Sequence, residues 1–298
     1  MSSRILMIRP CCFGYNPQTA VNNVFQKQTG LDPAVVQEKA LKEFDHFVAL
    51  LRQKGVEVLV VEDSPDPHTP DSIFPNNWVS FHLGKLGVLY PMYAPNRRLE
   101  RKKAVFRAIE QYAPRIRWID ISPHEKLDAF LEGTGSMVFD RKNSKAYACR
   151  SPRTNESLFL QICETLAFEP FIFDAVDNGT PVYHTNVLMC MGKDYVVICM
   201  EAVTKPEDKQ KLLNAFEKNN KTVVEITLEQ MRHFAGNMFQ VFGTDEVPYL
   251  VMSQQAHDSL TPEQIDTLTS FNELLVVPLD TIETHGGGSA RCMLAEVI

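Results

Sequence analysis

The chain contains 298 residues with a mass of 33.8 kDa, and 44% of the residues are hydrophobic while 22% are charged. This mixture is typical of a globular protein and excludes disordered and collagen-like chains. Thirty Lys and Arg residues against 37 Asp and Glu give a net charge of −7, which argues against nucleic acid as a partner. No apolar stretch reaches the roughly 18 residues of a membrane-spanning helix, and the N-terminal apolar run is too short for a signal peptide. We therefore expect a soluble, cytoplasmic protein that does not bind membranes.

Short runs rich in β-branched and aromatic residues alternate with helical patterns along the chain. Such runs are typical of strands, and they lie at 5–8, 56–61, 78–81, 87–90, 116–119, 136–139, 146–149, 170–173, 187–189, 195–199, 222–226, 238–242, 249–252, 274–277 and 293–297. The first helix is predicted to begin with Asp32 as its N-cap and Pro33 in its first turn, and to end before Gly55. Further helices are predicted at 98–112, 154–166, 205–219 and 261–271.

This alternation of strands and helices repeats about five times, and no long linker rich in Gly, Ser or Pro interrupts it. Alternating patterns of this kind predict an α/β fold. We therefore predict one α/β domain over residues 1–298, built from several similar units. The oligomeric state stays open, and a homo-oligomer is compatible with the sequence.

Seven cysteines without a CxxC pair predict free thiols in a reducing compartment. We interpret six of them as small buried hydrophobic residues and treat Cys292 separately. The basic run 97–103 is interpreted as a solvated helix face, apart from its first residues.

Five loop segments carry side chains that packing alone does not require. They are 70–78 with Asp71 and the pair Asn76-Asn77, 131–136 with Glu132, 183–187 with His184 and Asn186, 235–238 with Asn237, and 283–292 with three successive glycines and Cys292. Each segment also has an ordinary interpretation: a turn at Asn76-Asn77 and at Gly236-Asn237, a solvated Glu, a hydrogen-bonded His, and a buried Cys. Loops carry function more often than cores do, which keeps a functional interpretation open.

The motifs also exclude some chemistries. The eight His residues show neither an HExxH motif nor paired Cys/His spacing, so we expect no metal and no cofactor. A serine nucleophile would need a G-x-S-x-G elbow, which the chain lacks. A cysteine nucleophile with a His and an acidic residue remains, because a thiol near neutral pH needs a base or a positive field to become a thiolate.

Taken together, the five segments resemble the guanidino-group modifying superfamily, also called penteins. This superfamily includes arginine deiminases, dimethylarginine dimethylaminohydrolases and amidinotransferases. The opening Met7-Ile8-Arg9-Pro10 and the run Asn16-Pro17-Gln18-Thr19-Ala20-Val21-Asn22-Asn23 look like a narrower subgroup of hydrolases associated with citrulline utilisation. The resemblance implies a five-bladed α/β propeller of ββαβ units with pseudo-five-fold symmetry around a polar channel.

The resemblance also implies roles for single residues. Cys292 matches the nucleophile, His184 the general acid/base, and Glu132 the acidic residue that orients the histidine. Asp71 matches the residue that holds the substrate α-amino group. The substrate α-carboxylate would be held by two arginines that look like Arg97 and Arg153, with Arg98 as an alternative to Arg97. Asn77, Asn186, Asn237 and Gly287 complete the expected substrate-binding set.

Two departures from the family pattern bear on the substrate. Arginine deiminases grip the guanidinium with two carboxylates, and the matching positions here are Asn77 and Asn186. Burying a permanent cation without a carboxylate costs several kcal/mol. An amide can instead donate to a carbonyl oxygen and accept from an NH2 group, both of which a neutral ureido group offers. The sequence therefore predicts a free ureido amino acid, with citrulline as the simplest.

The expected reaction converts citrulline to ornithine, ammonia and carbon dioxide through a covalent adduct on Cys292. His184 would protonate the leaving amine and then activate water, and the backbone of 286–288 would stabilise the developing oxyanion. Three alternatives stay open: an arginine or methylarginine deiminase-type hydrolase, an amidinotransferase, and a non-catalytic ribosome-binding factor of the same fold. His285, close to Cys292 in sequence, is an alternative base.

Overall fold

The computed structural model describes residues 2–298. Its seventeen strands, in chain order, are β1 Arg4–Arg9, β2 Glu57–Glu62, β3 Val79–His82, β4 Leu86–Leu89, β5 Arg117–Asp120, β6 Val138–Asp140, β7 Lys145–Cys149, β8 Glu169–Phe173, β9 Val176–Asp177, β10 Thr180–Pro181, β11 Met189–Met191, β12 Tyr195–Ile198, β13 Thr222–Glu225, β14 Phe239–Phe242, β15 Pro248–Ser253, β16 Glu273–Val277 and β17 Ala295–Glu296. Most strands are therefore short, as the spacing of the apolar runs predicts.

Eleven α-helices are found over the same residues. They are α1 Pro17–Ala20, α2 Pro33–Gln53, α3 Lys103–Tyr112, α4 Gly133–Ser136, α5 Glu156–Thr165, α6 Thr185–Leu188, α7 Pro206–Lys218, α8 Leu228–Arg232, α9 Gln254–Ser259, α10 Pro262–Thr269 and α11 Asp280–Gly286. Single 3₁₀ turns lie at Pro75–Asn77, Pro95–Glu100, Ser122–Leu127, Thr244–Glu246 and Ala290–Met293. No helix within 2–298 combines the length and the apolar character needed to cross a membrane.

Five three-stranded sheets share one pattern, and the fold is mixed α/β. The sheet orders are β17-β1-β2, β3-β4-β5, β6-β7-β8, β11-β12-β13 and β14-β15-β16. In every sheet the first two strands pair antiparallel and the last two pair parallel. A parallel pair needs a crossover connection, and at least one helix lies between the parallel strands in each sheet. The chain thus contains five ββαβ units.

The helix ends follow the expected capping chemistry. The Asp32 side chain accepts a hydrogen bond from the Ala34 N–H at the start of α2, with Pro33 in the first turn. Thr261 and Gln264 form a reciprocal capping box at the start of α10. The prediction that these two helices begin at a capped proline turn is confirmed.

Four sequence predictions need correction. Residues 187 and 188 belong to helix α6 and not to a strand, and Met293 lies in a 3₁₀ turn before the short β17. The basic run is not a continuous helix face: its first part is a 3₁₀ turn with Arg97 and Glu100 buried, and Lys102 makes a 2.6 Å ion pair with the buried Asp63. Cys11 and Cys12 are partly exposed, whereas the other five cysteines are buried.

Helix α2 packs its apolar face on the sheets that contain β1 and β16, and Phe44 near its centre is fully buried. We predict that Phe44→Ala lowers the free energy of unfolding by about 3–5 kcal/mol, the usual cost of truncating a buried aromatic side chain. Leu83→Ala is the matched control, because Leu83 is 82% exposed and should change stability by less than about 0.5 kcal/mol. Urea unfolding of both variants checks this, and equal losses would contradict the assigned core.

Candidate active site

The five segments that stand out in the sequence occupy equivalent places in the five units. Each one directly precedes the first strand of a unit. The Pro75–Asn77 turn precedes β3, α4 precedes β6, α6 precedes β11, Asn237 precedes β14, and the Ala290–Met293 turn precedes β17. Helix α4 contacts both the Pro75–Asn77 turn and α6, and that turn also contacts Ala290–Met293. Residues far apart in sequence therefore meet in one place.

A small cavity lies where these segments meet. Its lining comprises Thr19, Asn23, Asp71, Phe74, Asn77, Arg97, Arg153, Tyr183, His184, Gly286, Gly287, Gly288 and Cys292. The cavity volume is about 20 Å³, which is room for a single water molecule. An amino acid the size of citrulline needs far more space, so substrate entry requires part of the lining to move.

Two amide side chains contact the thiol of Cys292. Asn237 Nδ2 lies 3.3 Å from Cys292 Sγ and also donates to the Asn186 carbonyl oxygen at 2.8 Å. Asn186 Nδ2 lies 3.5 Å from the same sulfur. Neither amide is part of the cavity lining, so both lie behind Cys292 as seen from the cavity.

His184 is bound to a fully buried carboxylate. Its Nε2 lies 2.7 Å from Glu132 Oε2, and the other oxygen of Glu132 accepts a hydrogen bond from the Tyr93 N–H at 2.9 Å. Arg153 Nη1 lies 3.4 Å from Glu132 Oε2. The interpretation of Glu132 as a solvated surface residue is therefore wrong, since it is 0% exposed.

The protonation states of this pair follow from burial and charge. Burial opposes ionisation of Glu132, but the charge of Arg153 and the hydrogen bond from His184 outweigh it and hold the pKa of Glu132 well below its usual range. Burial lowers the pKa of His184 to about 4, against the opposing effect of Glu132. At neutral pH the imidazole is therefore neutral, so it can accept the proton of the Cys292 thiol.

Arg153 faces the cavity but is already bonded to an N-terminal segment, residues 16–26. Its Nε donates to Asn22 Oδ1 at 2.9 Å, and its Nη2 donates to the Thr19 carbonyl oxygen at 2.9 Å and to Asn22 Oδ1. The guanidinium also lies over the Tyr183 ring, 4.9 Å from its centroid. A substrate carboxylate can reach Arg153 only if Thr19 and Asn22 give way.

Asp71 is held by the same segment. Its Oδ2 accepts hydrogen bonds from Asn16 Nδ2 at 2.7 Å and from Thr19 Oγ1 at 3.0 Å. Its Oδ1 is buried without a hydrogen-bond partner among the described residues. Burial raises the pKa of Asp71, against the charge of Arg97. One oxygen of this carboxylate is thus free to accept from an ammonium group.

Arg97, and not Arg98, lines the cavity. It donates to both oxygens of Glu100 at 2.8 and 3.1 Å and to Asn77 Oδ1 at 2.7 Å. Arg98 instead donates to the backbone oxygens of Met92 and Tyr93. Most donors of Arg97 are therefore used within the protein, and one of them fixes the orientation of the Asn77 amide.

Gly287 forms a backbone turn that only glycine adopts easily. Its φ of +63° is left-handed, and a Cβ there would lie 2.6 Å from Asn23 Nδ2. Its carbonyl oxygen accepts from the Tyr183 hydroxyl at 2.7 Å and from Asn23 Nδ2 at 3.2 Å. Its N–H already donates to the Glu283 carbonyl oxygen at 2.9 Å. Gly287 therefore does not supply an N–H to an oxyanion, which corrects one part of the expected mechanism.

His285 does not share the cavity with Cys292. It lines a separate groove of about 630 Å³ together with Cys11, Cys12 and His68, and its Nε2 lies 3.3 Å from Thr29 Oγ1. The structure therefore favours His184 as the base. Within residues 2–298, no group of three or more His, Cys, Asp or Glu side chains is placed to hold a metal ion.

Several site residues carry no signal in the sequence strong enough to give them a role. Asn16, Thr19, Asn22 and Asn23 appear there only as part of a resemblance, yet they bind Asp71, Arg153 and Gly287. The buried Tyr183, next to His184, likewise has no role in the sequence-based prediction. The density of polar side chains in an otherwise loop-like stretch is the signal that could identify the N-terminal residues.

The chain is similar to known proteins over almost its whole length. The model of the family described as N,N dimethylarginine dimethylhydrolase, eukaryotic, matches residues 9–298. No curated protein sequence matches the chain. Among solved structures, the N-terminal domain of ArgZ, an arginine dihydrolase from cyanobacteria, was crystallised with substrate as a cysteine-to-serine mutant. It is 18% identical with a TM-score of 0.75, covering 99% of this chain and 98% of that one.

Two further structures are similar. Unliganded AgrE is 18% identical with a TM-score of 0.75, and the match covers 99% of this chain but 39% of AgrE. A histidine-to-glycine mutant of dimethylarginine dimethylaminohydrolase, solved as an adduct with S-methyl-L-thiocitrulline, is 17% identical with a TM-score of 0.66. That match covers 99% of this chain and 100% of the other. The chain thus spans about two fifths of the length of AgrE.

The chain belongs to the dimethylarginine dimethylhydrolase family, and with it to the pentein superfamily of guanidino-modifying enzymes. It is a hydrolase that acts on C–N bonds, which removes the ribosome-binding factor from the alternatives.

The low pKa of His184 leads to a pH prediction. Because the imidazole stays neutral down to a pH of about 4, it can accept the thiol proton well below the ordinary histidine pKa of about 6.5. We expect kcat/KM to fall on the acid side near pH 4, measured under conditions where the protein stays folded. An acid limb near pH 6.5 would contradict a buried, neutral His184.

Proposed function

We propose that the protein hydrolyses a free ureido amino acid, most simply citrulline, to ornithine, ammonia and carbon dioxide. The observation that carries this proposal is the orientation of the Asn77 amide. Its Oδ1 accepts from Arg97, so its Nδ2 is directed away from Arg97 and has no hydrogen-bond partner among the described residues. This donor suits a ureido oxygen, whereas a guanidinium offers only donors.

The approach of the Asn77 amide to His184 depends on Gly135. A Cβ at that position would lie 2.4 Å from Asn77 Nδ2 and 2.8 Å from His184 Cε1. The missing side chain lets the amide and the imidazole lie side by side. A ureido oxygen bound to Asn77 would then lie close to the imidazole that handles the proton.

Asn186 offers the complementary group. Its Nδ2 contacts Cys292, while its Oδ1 is buried without a hydrogen-bond partner among residues 2–298. Asn186 lies behind Cys292 and lines a neighbouring small cavity together with Thr134 and Arg291. We assign this oxygen to the substrate NH2 group. One donor and one acceptor match the two ends of a ureido group.

The charges of the cavity support the same substrate class. Among the described residues, the lining contains two arginines and one carboxylate, Asp71. The carboxylate with a free oxygen would bind the α-ammonium group, and the arginines would attract the α-carboxylate. A cationic guanidinium would add a further positive charge to this buried lining, which is unfavourable without a second carboxylate.

In the proposed reaction, neutral His184 takes the Cys292 proton and the thiolate attacks the ureido carbon. The imidazolium, stabilised by Glu132, gives its proton to the departing amine, leaving an S-carbamoyl adduct. Water, deprotonated by His184, then cleaves the C–S bond. The carbamic acid released breaks down to an amine and carbon dioxide, so citrulline and one water yield ornithine, ammonia and carbon dioxide.

A second candidate is an arginine or methylarginine hydrolase. The described relatives favour it, since ArgZ is an arginine dihydrolase and the matching family model describes a dimethylarginine hydrolase. In this case the Asn77 side-chain amide would have to flip so that its oxygen faces the guanidinium. Alternatively, the Asp71 carboxylate would have to bind the guanidinium. The third option, an amidinotransferase, would need an acceptor amine.

The fold and the cellular location of the enzyme are also part of the proposed function. We infer that the five units close into a five-bladed propeller within one catalytic domain over residues 1–298. Contacts of β17 with β3, of β6 with β11 and of β11 with β14 support this arrangement. Seven cysteines without a disulfide support a cytoplasmic location.

The test compares ammonia release from citrulline and arginine, side by side. We expect release from citrulline and at least about 100-fold less from arginine, because an unpaired buried charge costs about 3 kcal/mol or more. Cys292→Ser should abolish both activities. Faster release from arginine would move the assignment to the second candidate, and an absolute need for an added amine would move it to a transferase.

The Asn77 amide can be tested by a single exchange. We expect Asn77→Asp to lower kcat/KM for citrulline by at least about 10-fold and to raise it for arginine, since it replaces a free donor by a carboxylate. Asn214→Asp is the matched control, because Asn214 is exposed and the exchange adds the same charge elsewhere. Unchanged preference in Asn77→Asp would show that this amide does not select the substrate.

A further inference from the structure

Glu283 is a buried carboxylate in helix α11 that the proposed reaction does not use. It is 2% exposed. Its Oε1 accepts a hydrogen bond from Ser289 Oγ at 2.5 Å, and its Oε2 accepts one from Gln255 Nε2 at 2.6 Å. A carboxylate removed from water costs free energy unless such donors satisfy it. The proposed reaction does not explain why a carboxylate is buried at this position.

The contact with Ser289 leads directly to the nucleophile. The Ser289 carbonyl oxygen accepts the N–H of Cys292 at 3.0 Å, and Ser289 itself is 0% exposed. On the other side, the carbonyl oxygen of Glu283 accepts the Gly287 N–H. Glu283 therefore contacts the glycine-rich turn 286–289 at two points, with its backbone at Gly287 and with its side chain at Ser289.

This turn contains few other restraints of its own. Three consecutive glycines have more backbone freedom than any other residues and lose more of it on folding. The Gly287 carbonyl oxygen is held by Tyr183 and Asn23, but Asn23 belongs to the segment that has to move for substrate entry. When that segment opens, Tyr183 still holds the Gly287 carbonyl oxygen, and Glu283 holds the Ser289 side chain on the side nearer to Cys292.

We propose that Glu283 is a positioning residue for the nucleophile. Its carboxylate holds Ser289, and Ser289 holds the start of the 3₁₀ turn that carries Cys292, so the sulfur keeps its place relative to His184 while the N-terminal segment opens and closes. This inference rests on Cys292 as the nucleophile of the proposed function, but it does not depend on which amino acid is the substrate.

The experiment combines two variants that break the same contact. Glu283→Ala and Ser289→Ala are prepared singly and together, and kcat, KM and the rate of Cys292 alkylation by iodoacetamide are measured. Alkylation is followed on the Cys292 peptide by mass spectrometry, because Cys11 and Cys12 are also partly exposed. Gln255→Ala is the matched control, since it removes a donor from the other oxygen of the same carboxylate.

We expect each single variant to lower kcat and the alkylation rate by about 10-fold to 100-fold, the effect of a small displacement of a reacting group. KM should change by less than about 3-fold, and the double variant should resemble the singles, because one contact is lost in all three. Gln255→Ala should retain wild-type kcat and alkylation.

Three outcomes would overturn the inference. One is a lowered melting temperature with unchanged kcat and alkylation in Ser289→Ala, which would show a purely structural carboxylate. The others are multiplicative losses in the double variant, and an equal loss in Gln255→Ala. If Glu283→Ala does not fold, the inference is decided by Ser289→Ala and its comparison with Gln255→Ala. Alkylation needs no substrate, so a failure of citrulline turnover would leave this test intact.

Discussion

The buried carboxylate of Glu132 is the constraint on which the rest of the site depends. A fully buried negative charge is tolerated only with close partners, and here the partners are the imidazole of His184 and the guanidinium of Arg153. The first partner carries the proposed proton chemistry and the second faces the cavity. One electrostatic requirement therefore fixes two side chains from different units, while burial keeps the histidine neutral.

Around this centre, Asn77 and Asn186 occupy the two positions at which arginine deiminases, in the resemblance described above, have carboxylates. Arg97 is bound by Glu100 and holds Asn77 in one orientation. The arginine that the resemblance assigns to substrate therefore also acts inside the protein. The structure shows how charge is balanced before any ligand arrives: each cation in the lining already has an anionic or carbonyl partner, and one oxygen of Asp71 remains free.

Much of the fold could be predicted from the sequence, because strand-forming runs and capped proline turns are local signals. Asp32 and Thr261 show this at two helix starts. The prediction failed where tertiary contacts decide: residues 187 and 188 have an apolar, β-branched appearance but form a helical turn beside α4. Glu132 has the appearance of a solvated residue because no local pattern reveals a partner 52 positions away. The roles of Thr19 and Asn22 depend on contacts more than 130 positions apart, which no local pattern can encode.

Each site segment precedes the first strand of its own unit. This placement determines how a substitution in one segment affects the others. Each segment is joined to a separate sheet, so an exchange in one leaves the strands that carry the others in place. Asn77, the pair His184 and Asn186, and Cys292 therefore precede strands of three separate sheets. Under the proposed function, an exchange at Asn77 could change the charge of the accepted amino acid while the segments that carry His184 and Cys292 stay as they are.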